Sequence, residues 1–283
     1  MPEPELSFAE RYGPWAVIAG ASEGVGEALA RAVAARGVHV VLLARRQTVL
    51  DGLAASLRAE AGVEARAVAV DLAADGAADA VAEATRGLEV GLLAYCAGAD
   101  PAYAPFLDQP IDAALGMIHR NCSVPAQLCH HYGGAMATRG RGGIVLVGSG
   151  AGLVGAPNMV AYGATKAFGM VLAEALWAEL HERGVDVLGL ILAVTDTPAL
   201  RRLLARRGVL AGEDDPSPIP GAATAEEVAA EALAHLAAGP TRFVGELLRD
   251  GAQQLGALPR NDAVRLMIDM GGGLMGQGTE GAA

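Results

Sequence analysis

Ser149, Tyr162 and Lys166 stand inside SGAGLVGAPNMVAYGATK (149–166), a stretch otherwise made of small and apolar residues. Tyr162 follows Ser149 by 13 residues and Lys166 follows Tyr162 by 4. If a helix begins near Ala161, the tyrosine and the lysine lie one turn apart on the same face. An ammonium beside a phenol favours the phenolate and draws the tyrosine's pKa down from about 10 towards neutrality. A tyrosine tuned in this way can exchange a proton with a substrate oxygen at neutral pH. Ser149 follows the apolar run GIVLVG, so its hydroxyl stands at the end of an expected strand and can hydrogen-bond to the same oxygen. Tyr and Lys share a helix face by chance often enough that the pair alone is a weak signal. The weight comes from what surrounds it.

Upstream, WAVIAG (15–20) runs directly into ASEGVGEALARAVAARG, which places Gly20, Gly24 and Gly26 at a strand-to-helix turn. Glycines there permit a tight turn and a close approach of the backbone to a pyrophosphate, and the helix N-terminus offers free N–H groups and the positive end of its dipole. Ser22 and Val25 lie in the same turn. The next strand ends Leu43-Ala44-Arg45-Arg46, with no acid where the ribose 2′-hydroxyl of NAD would be bound. Arg45, with Arg46 beside it, suits a 2′-phosphate by charge and by its fork of donors, so NADP(H) is preferred and NAD(H) remains possible. The alternative is that the two arginines open a solvated helix. Asp71 ends the third strand and is also placed to cap the helix that follows.

The elements that must position these residues follow from periodicity. Short runs at 15–20, 38–43, 64–70, 90–95, 143–148, 185–192 and 242–247 read as strands, most of them nearly continuous in apolar residues as burial of both faces requires. Helical stretches at 25–36, 47–61, 74–86, 110–138, 162–183 and 224–237 alternate with them, the last opened by the capping box Thr224–Glu227. This alternation predicts an α/β fold: a single domain (15–250) with a doubly wound parallel sheet and helices on both faces. Residues 1–14 are expected to be an extension. GEDDPSPIPGA (212–222) reads as a loop within a substrate lid (198–222), and 251–283 as a partly flexible tail with a frayed glycine-rich end.

The G-x-x-x-G-x-G spacing together with Ser149, Tyr162 and Lys166 resembles the short-chain dehydrogenase/reductase family over about residues 14 to 250. The resemblance implies a Rossmann-like fold, NAD(P)-dependent oxidoreduction and further site residues. Asn121, in HRNCSVP, matches the family's catalytic Asn, which holds a water linking Lys166 to solvent; without the resemblance it reads as a buried polar residue kinking a helix. Asp71 would accept a hydrogen bond from the adenine amino group, and Leu72 would supply a backbone contact. Ala97 and Gly98 match the second half of the family's N-N-A-G, which here reads Tyr95-Cys96-Ala97-Gly98. Likewise P-G-x-V-x-T appears as Leu192-Ala193-Val194-Thr195-Asp196-Thr197, which keeps Thr195 and Thr197 for the nicotinamide end. Lys166 would also hold the nicotinamide ribose. Family members usually pair through the helices that here are 110–138 and 162–183, so a homodimer or homotetramer is expected. Trp177 is either an interface anchor or a core residue.

Leu153, Val154 and Met159 before Tyr162, and Leu200 within PALRRLLARRGVL (198–210), are candidate substrate walls whose apolar character suits a lipid-like, steroid or acyl ketone. Arg201, Arg202, Arg206 and Arg207 form either a dock for a coenzyme A or acyl-carrier phosphate or the wet face of a lid helix whose Leu200, Leu203 and Leu204 point inward. The formal charge of −11 disfavours nucleic acid and anionic membranes. Cys96, Cys122 and Cys129 have no metal spacing, so no metal is expected; they read as reduced thiols in a cytoplasmic protein, and the acidic N-terminus lacks a signal-peptide pattern. The partner expected is a small carbonyl or alcohol. Two alternatives compete: a nucleotide-binding scaffold without turnover, and an epimerase or dehydratase of the same fold.

Overall fold

All five residues of strand β1 (Trp15–Ala19) are apolar and buried, as a strand sandwiched between two helical layers requires. The computed structural model describes residues 6–99 and 102–274 and shows why. Residues alternate between the two layers: Ala16 and Ile18 face one side, Val17 and Ala19 the other. Short helix α1 (Phe8–Tyr12) precedes β1; α2 (Gly24–Ala34), β2 (His39–Ala44), α3 (Gln47–Ala61), β3 (Ala65–Ala69), α4 (Ala77–Ala84) and β4 (Val90–Tyr95) follow. Then come α5 (Ile111–Ile118), a π turn (His119–Ser123), α6 (Val124–Arg139), β5 (Gly142–Val147), α7 (Val160–Leu180) and β6 (Val185–Ile191). The chain continues with β7 (Thr195–Asp196), α8 (Pro198–Arg206), β8 (Ala223–Thr224), α9 (Ala225–His235), β9 (Thr241–Phe243), α10 (Glu246–Ala257) and α11 (Arg260–Leu274).

Seven strands form one parallel sheet in the order β3-β2-β1-β4-β5-β6-β9, and β7 pairs with β8 outside it. Leu29 of α2, Leu50 and Leu57 of α3, and Val228 of α9 cover one face. Val81 of α4, Leu128 and Met136 of α6, and Ala173 and Leu180 of α7 cover the other. Burying one such leucine contributes about 1.5–3 kcal/mol, so these two layers dominate the stability of the sheet. The chain crosses from β3 at one edge back to β4 beside β1, and the strand order reverses there. That reversal opens a crevice beyond the carboxyl ends of β1 and β4, where sheets of this kind bind ligands. In-register pairing of Ala19 with Tyr95 and of Tyr95 with Leu146 brings the ends of β1, β4 and β5 to one level.

Two expectations are corrected, and two segments that the sequence left undefined are structured. The stretch 242–247 is strand only to Phe243; Gly245 follows and Glu246 opens α10, whose residues carry strong helix formers and few β-branched ones. The long helix 110–138 is interrupted by the π turn. Residues 7–12 are more than an extension, because α1 is fastened to the sheet by Tyr12 Oη donating to Asp186 at 2.7 Å and by Arg11 pairing with the same carboxylate. The tail is helical from Arg260 to Leu274, with Ala263 buried; the frayed end expected beyond it lies outside the described residues. The Thr224–Glu227 capping box forms as read, a feature worth about 1 kcal/mol.

Candidate active site

Strand β5 delivers Ser149 to the crevice, and a single 3₁₀ turn (Gly150–Gly152) separates it from the loop leading to α7. That turn lies directly on α7. A Cβ at Gly152 would sit 2.7 Å from the backbone of Lys166 and Ala167, and one at Gly163 would sit 2.8 Å from the Ala151 carbonyl oxygen. No side chain fits between them, so the serine and the helix are held at a fixed separation. Ser149 Oγ accepts the Ala151 N–H at 3.2 Å, which leaves the hydroxyl proton to donate elsewhere.

Helix α7 begins at Val160, so Tyr162 and Lys166 lie one turn apart as the spacing predicts. Lys166 is 7% exposed; its Nζ lies 5.7 Å from the Tyr162 ring centroid. The ammonium donates to the Val147 carbonyl oxygen at 2.9 Å. Burial, reinforced by the nearby Arg120 guanidinium, brings the Lys166 pKa down to about 8. Burial also pushes the neighbouring Cys96 thiol up to about 12, so it stays protonated.

Asn121 sits in the π turn and is buried. Pro125, four residues on, cannot donate to its carbonyl, which is a reason for the helix to break register here. The Asn121 amide donates to Thr165 Oγ1 at 2.9 Å, and Thr165 Oγ1 donates to the Tyr162 carbonyl at 2.8 Å. Asn121, Thr165, Lys166 and Tyr95 line a recess of about 20 Å3, enough for one water molecule. The fold therefore brings Ser149, Tyr162, Lys166 and Asn121 to one place. Thr165, which no sequence signal marked, and Tyr95, noted only as a departure from N-N-A-G, join them.

The glycine turn is a bare backbone cradle. A Cβ on Gly26 would lie 2.1 Å from the Gly20 carbonyl oxygen, and one on Gly20 would lie 2.8 Å from the Ala97 nitrogen. The start of α2 is thereby drawn against the end of β1 and the strand end at Ala97, with Val25 buried beneath. These residues fit a pyrophosphate approaching the N-terminus of α2. Ser22 accepts Arg46 Nη2 on its Oγ and carbonyl at 3.1 and 3.3 Å. Glu23 is clasped by Arg46 at 2.6 Å and by Arg202 of α8, which holds its carboxyl below the ordinary range. Arg46, rather than Arg45, thus touches the turn; Arg45 is exposed at the end of β2.

Asp71 Oδ1 accepts the Ala73 N–H at 3.0 Å and caps that turn, not α4, whose N-cap is Gly76. Leu72 is buried in the core. Gly98 lies against Asn121. Thr195 belongs to β7, and Thr197 caps α8 by accepting the Leu200 N–H at 3.3 Å. The Thr197 methyl also faces Gly24, so the lid meets the glycine turn.

On the substrate side, Leu153, Met159 and Leu200 are half-buried, whereas Val154 is turned into the protein. Leu203 and Leu204 point inward as expected. The lid arginines have internal partners: Arg201 takes Asp196 in two bonds of 2.7 and 2.6 Å, Arg202 takes Glu23, and Arg207 donates to the Tyr103 carbonyl at 3.1 Å. These bonds tie α8 and the turn after it to the rest of the protein. Two contacts were missed because they join distant segments: Leu248 of α10 abuts Gly150, and Arg260 of α11 donates to the Leu153 carbonyl at 2.8 Å. Trp177 packs on the core and stacks on His181 at 4.2 Å.

Residues 14–208 match the family model described as short chain dehydrogenase. The chain belongs to that family. This short-chain dehydrogenase is 32% identical over 263 residues to a 7beta-hydroxysteroid dehydrogenase of Clostridium sardiniense, covering 92% of this chain and 96% of the relative. A solved structure described as giving insights into 7beta-hydroxysteroid dehydrogenase stereoselectivity superposes with a TM-score of 0.83 at 32% identity, over 93% of this chain and 99% of that one. A short-chain dehydrogenase from Sphingobium yanoikuyae in complex with NADPH superposes with a TM-score of 0.73 at 29% identity, over 88% and 97% of the two chains. The protein is thus an oxidoreductase of the NAD(P)-using short-chain class that acts on small molecules. Among the described residues, no helix is long and apolar enough to cross a membrane, and no cluster of His, Cys, Asp and Glu is placed to hold a metal.

Proposed function

We propose that this short-chain dehydrogenase uses NADP(H) to interconvert a carbonyl and a secondary alcohol on a mostly apolar, steroid-like substrate, with Tyr162 as general acid and base. The observation that carries the reading is a buried ammonium, Lys166, one helical turn from Tyr162, with Ser149 held on the facing turn. A bound nicotinamide dinucleotide supplies or accepts the hydride. Ser149 orients the carbonyl oxygen through its free hydroxyl proton. Tyr162 gives that oxygen its proton in reduction and takes it back in oxidation. Lys166 keeps the phenol acidic, and Asn121, Thr165 and the recess beside them link the ammonium to solvent through one water.

Gly20, Ser22, Gly24, Val25 and Gly26 would hold the pyrophosphate, and Arg45 with Arg46 the 2′-phosphate. Asp71 and Leu72 would hold the adenine, with Ala97, Gly98, Thr195 and Thr197 towards the nicotinamide. The apolar half-buried wall of Leu153, Met159 and Leu200, and the named 7beta-hydroxysteroid dehydrogenases among the relatives, support a steroid-sized ketone. Ile111, Leu115 and Ile118 of α5 lie exposed beside exposed Phe168 and Val171 of α7, which supports pairing of two copies through this face.

The test is NADPH consumption on a 7-oxosteroid, a 3-oxoacyl ester and a ketose, with Tyr162→Phe beside the wild type and NADPH binding followed by fluorescence. Turnover should fall at least about 100-fold in Tyr162→Phe while NADPH binding is retained. Turnover that survives the substitution sinks the reading. A wild type inactive on every ketone favours the scaffold alternative.

A further inference from the structure

The π turn that carries Asn121 is short of backbone donors. The Val124 N–H donates to the His119 carbonyl, five residues back. The next residue is Pro125, which has no N–H to offer the carbonyls of Arg120 or Asn121. A carbonyl even partly withdrawn from water loses stability when no donor meets it. The Tyr95 hydroxyl, at the end of β4, donates to the Arg120 carbonyl. Burial pushes the Tyr95 pKa far above its ordinary value, so this group stays a donor.

The Arg120 side chain turns back over the same turn. Its Nε donates to Asn121 Oδ1 at 3.1 Å and its Nη2 to the Ala99 carbonyl at 3.0 Å. With Oδ1 engaged by Arg120, the amide nitrogen of Asn121 is directed at Thr165 Oγ1, 2.9 Å away. Gly98 closes another side, since a Cβ there would lie 2.7 Å from Asn121 Oδ1. Tyr95 occupies a position where this chain departs from the pattern it otherwise resembles, so the device belongs to the chain itself.

We propose that Tyr95 and Arg120 are positioning residues for the proton relay. Tyr95 anchors the carbonyl that Pro125 leaves without a donor, and Arg120 fixes the direction of the Asn121 amide. The proposal rests on the reading of Asn121, Tyr162 and Lys166 as that relay.

Two variants test it: Tyr95→Phe, which keeps the ring and removes the donor, and Arg120→Lys, which keeps the charge and loses the Nε bond. Either alone suffices if the other fails to fold. Amide hydrogen exchange over 119–124 should quicken by about tenfold in each, the equivalent of one lost hydrogen bond. This readout is independent of turnover, and exchange at the wild-type rate in both overturns the proposal. With NADPH and a 7-oxosteroid, kcat should fall about tenfold in each variant, with the KM for NADPH unchanged. In an Asn121→Ala background the same substitutions should change kcat by less than about twofold, because residues that act through one another are not additive. An equal loss in both backgrounds marks a merely structural role and overturns the proposal. Activity that survives Tyr162→Phe sinks the relay reading instead, and the exchange result then still decides whether the turn is held as described.

Discussion

Around Lys166 the crevice is held by close backbone packing and buried side chains, and around Glu23 by ion pairs at the surface. On the first side, Gly152 and Gly163 let backbone meet backbone, and Lys166, Asn121 and Thr165 are all buried. On the second, Arg46 and Arg202 grip Glu23 while about half of the Arg46 side chain and a third of the Arg202 side chain remain exposed. Close-packed backbone has one arrangement and no cheap alternative. Exposed ion pairs are weak, screened by salt and free to exchange partners. On the function proposed above, the division gives the proton-transfer groups one geometry and leaves α8 able to part from the glycine turn.

The sharpest break of this contrast is Lys166→Met. It should lower kcat by about 10²–10⁴-fold yet leave unfolding in urea within about 1 kcal/mol of wild type, because removing a buried charge offsets the loss of its bond to Val147. Next comes Gly152→Ala, whose new Cβ forces the 3₁₀ turn off α7; it should cost about 1–3 kcal/mol of stability and displace Ser149. Gly155→Ala, with nothing near its Cβ, is the control and should stay within about 0.5 kcal/mol. Paired melts and kcat measurements separate the two.

A smaller effect is expected from pH. With its pKa brought down to about 8, Lys166 loses its charge above that value, so kcat for carbonyl reduction should fall as pH rises through about 8. Stability should move the other way. Between about 8 and the unfolded lysine value of about 10.4 the unfolded chain binds the extra proton, so stability rises with pH across that window. Denaturant titrations at several pH values, compared with Lys166→Met, check the sign. The smallest effect belongs to the lid: Arg202→Gln should cost at most about 1 kcal/mol, and the difference should vanish in about 1 M salt. Thermal melts at two salt concentrations show whether the two sides differ as described.

The first six strands, five of the six main helices and the one-turn spacing of Tyr162 and Lys166 were legible because they rest on local patterns. A continuous apolar run, a capping box at Thr224 and a four-residue spacing on a helix are properties of neighbouring residues, and their physics does not depend on where the chain goes next. Asn121 was legible as a helix-kinking polar residue, since Pro125 stands in the same segment. The role proposed for it beside Lys166 was available only through resemblance.

What the sequence by itself determined, then, is the alternation that makes a parallel sheet, the glycine turn, and the placement of Ser149 after a strand with Tyr162 and Lys166 one turn apart on a helix. Tertiary structure alone decided that Arg46 rather than Arg45 meets the turn, that Arg202 crosses to Glu23 and that Tyr95 reaches the Arg120 carbonyl. The same holds for Arg260 closing on Leu153. These contacts join residues 23 to 179 positions apart. Long polar side chains have many partners within reach, and only the packed positions of the backbones that carry them select one.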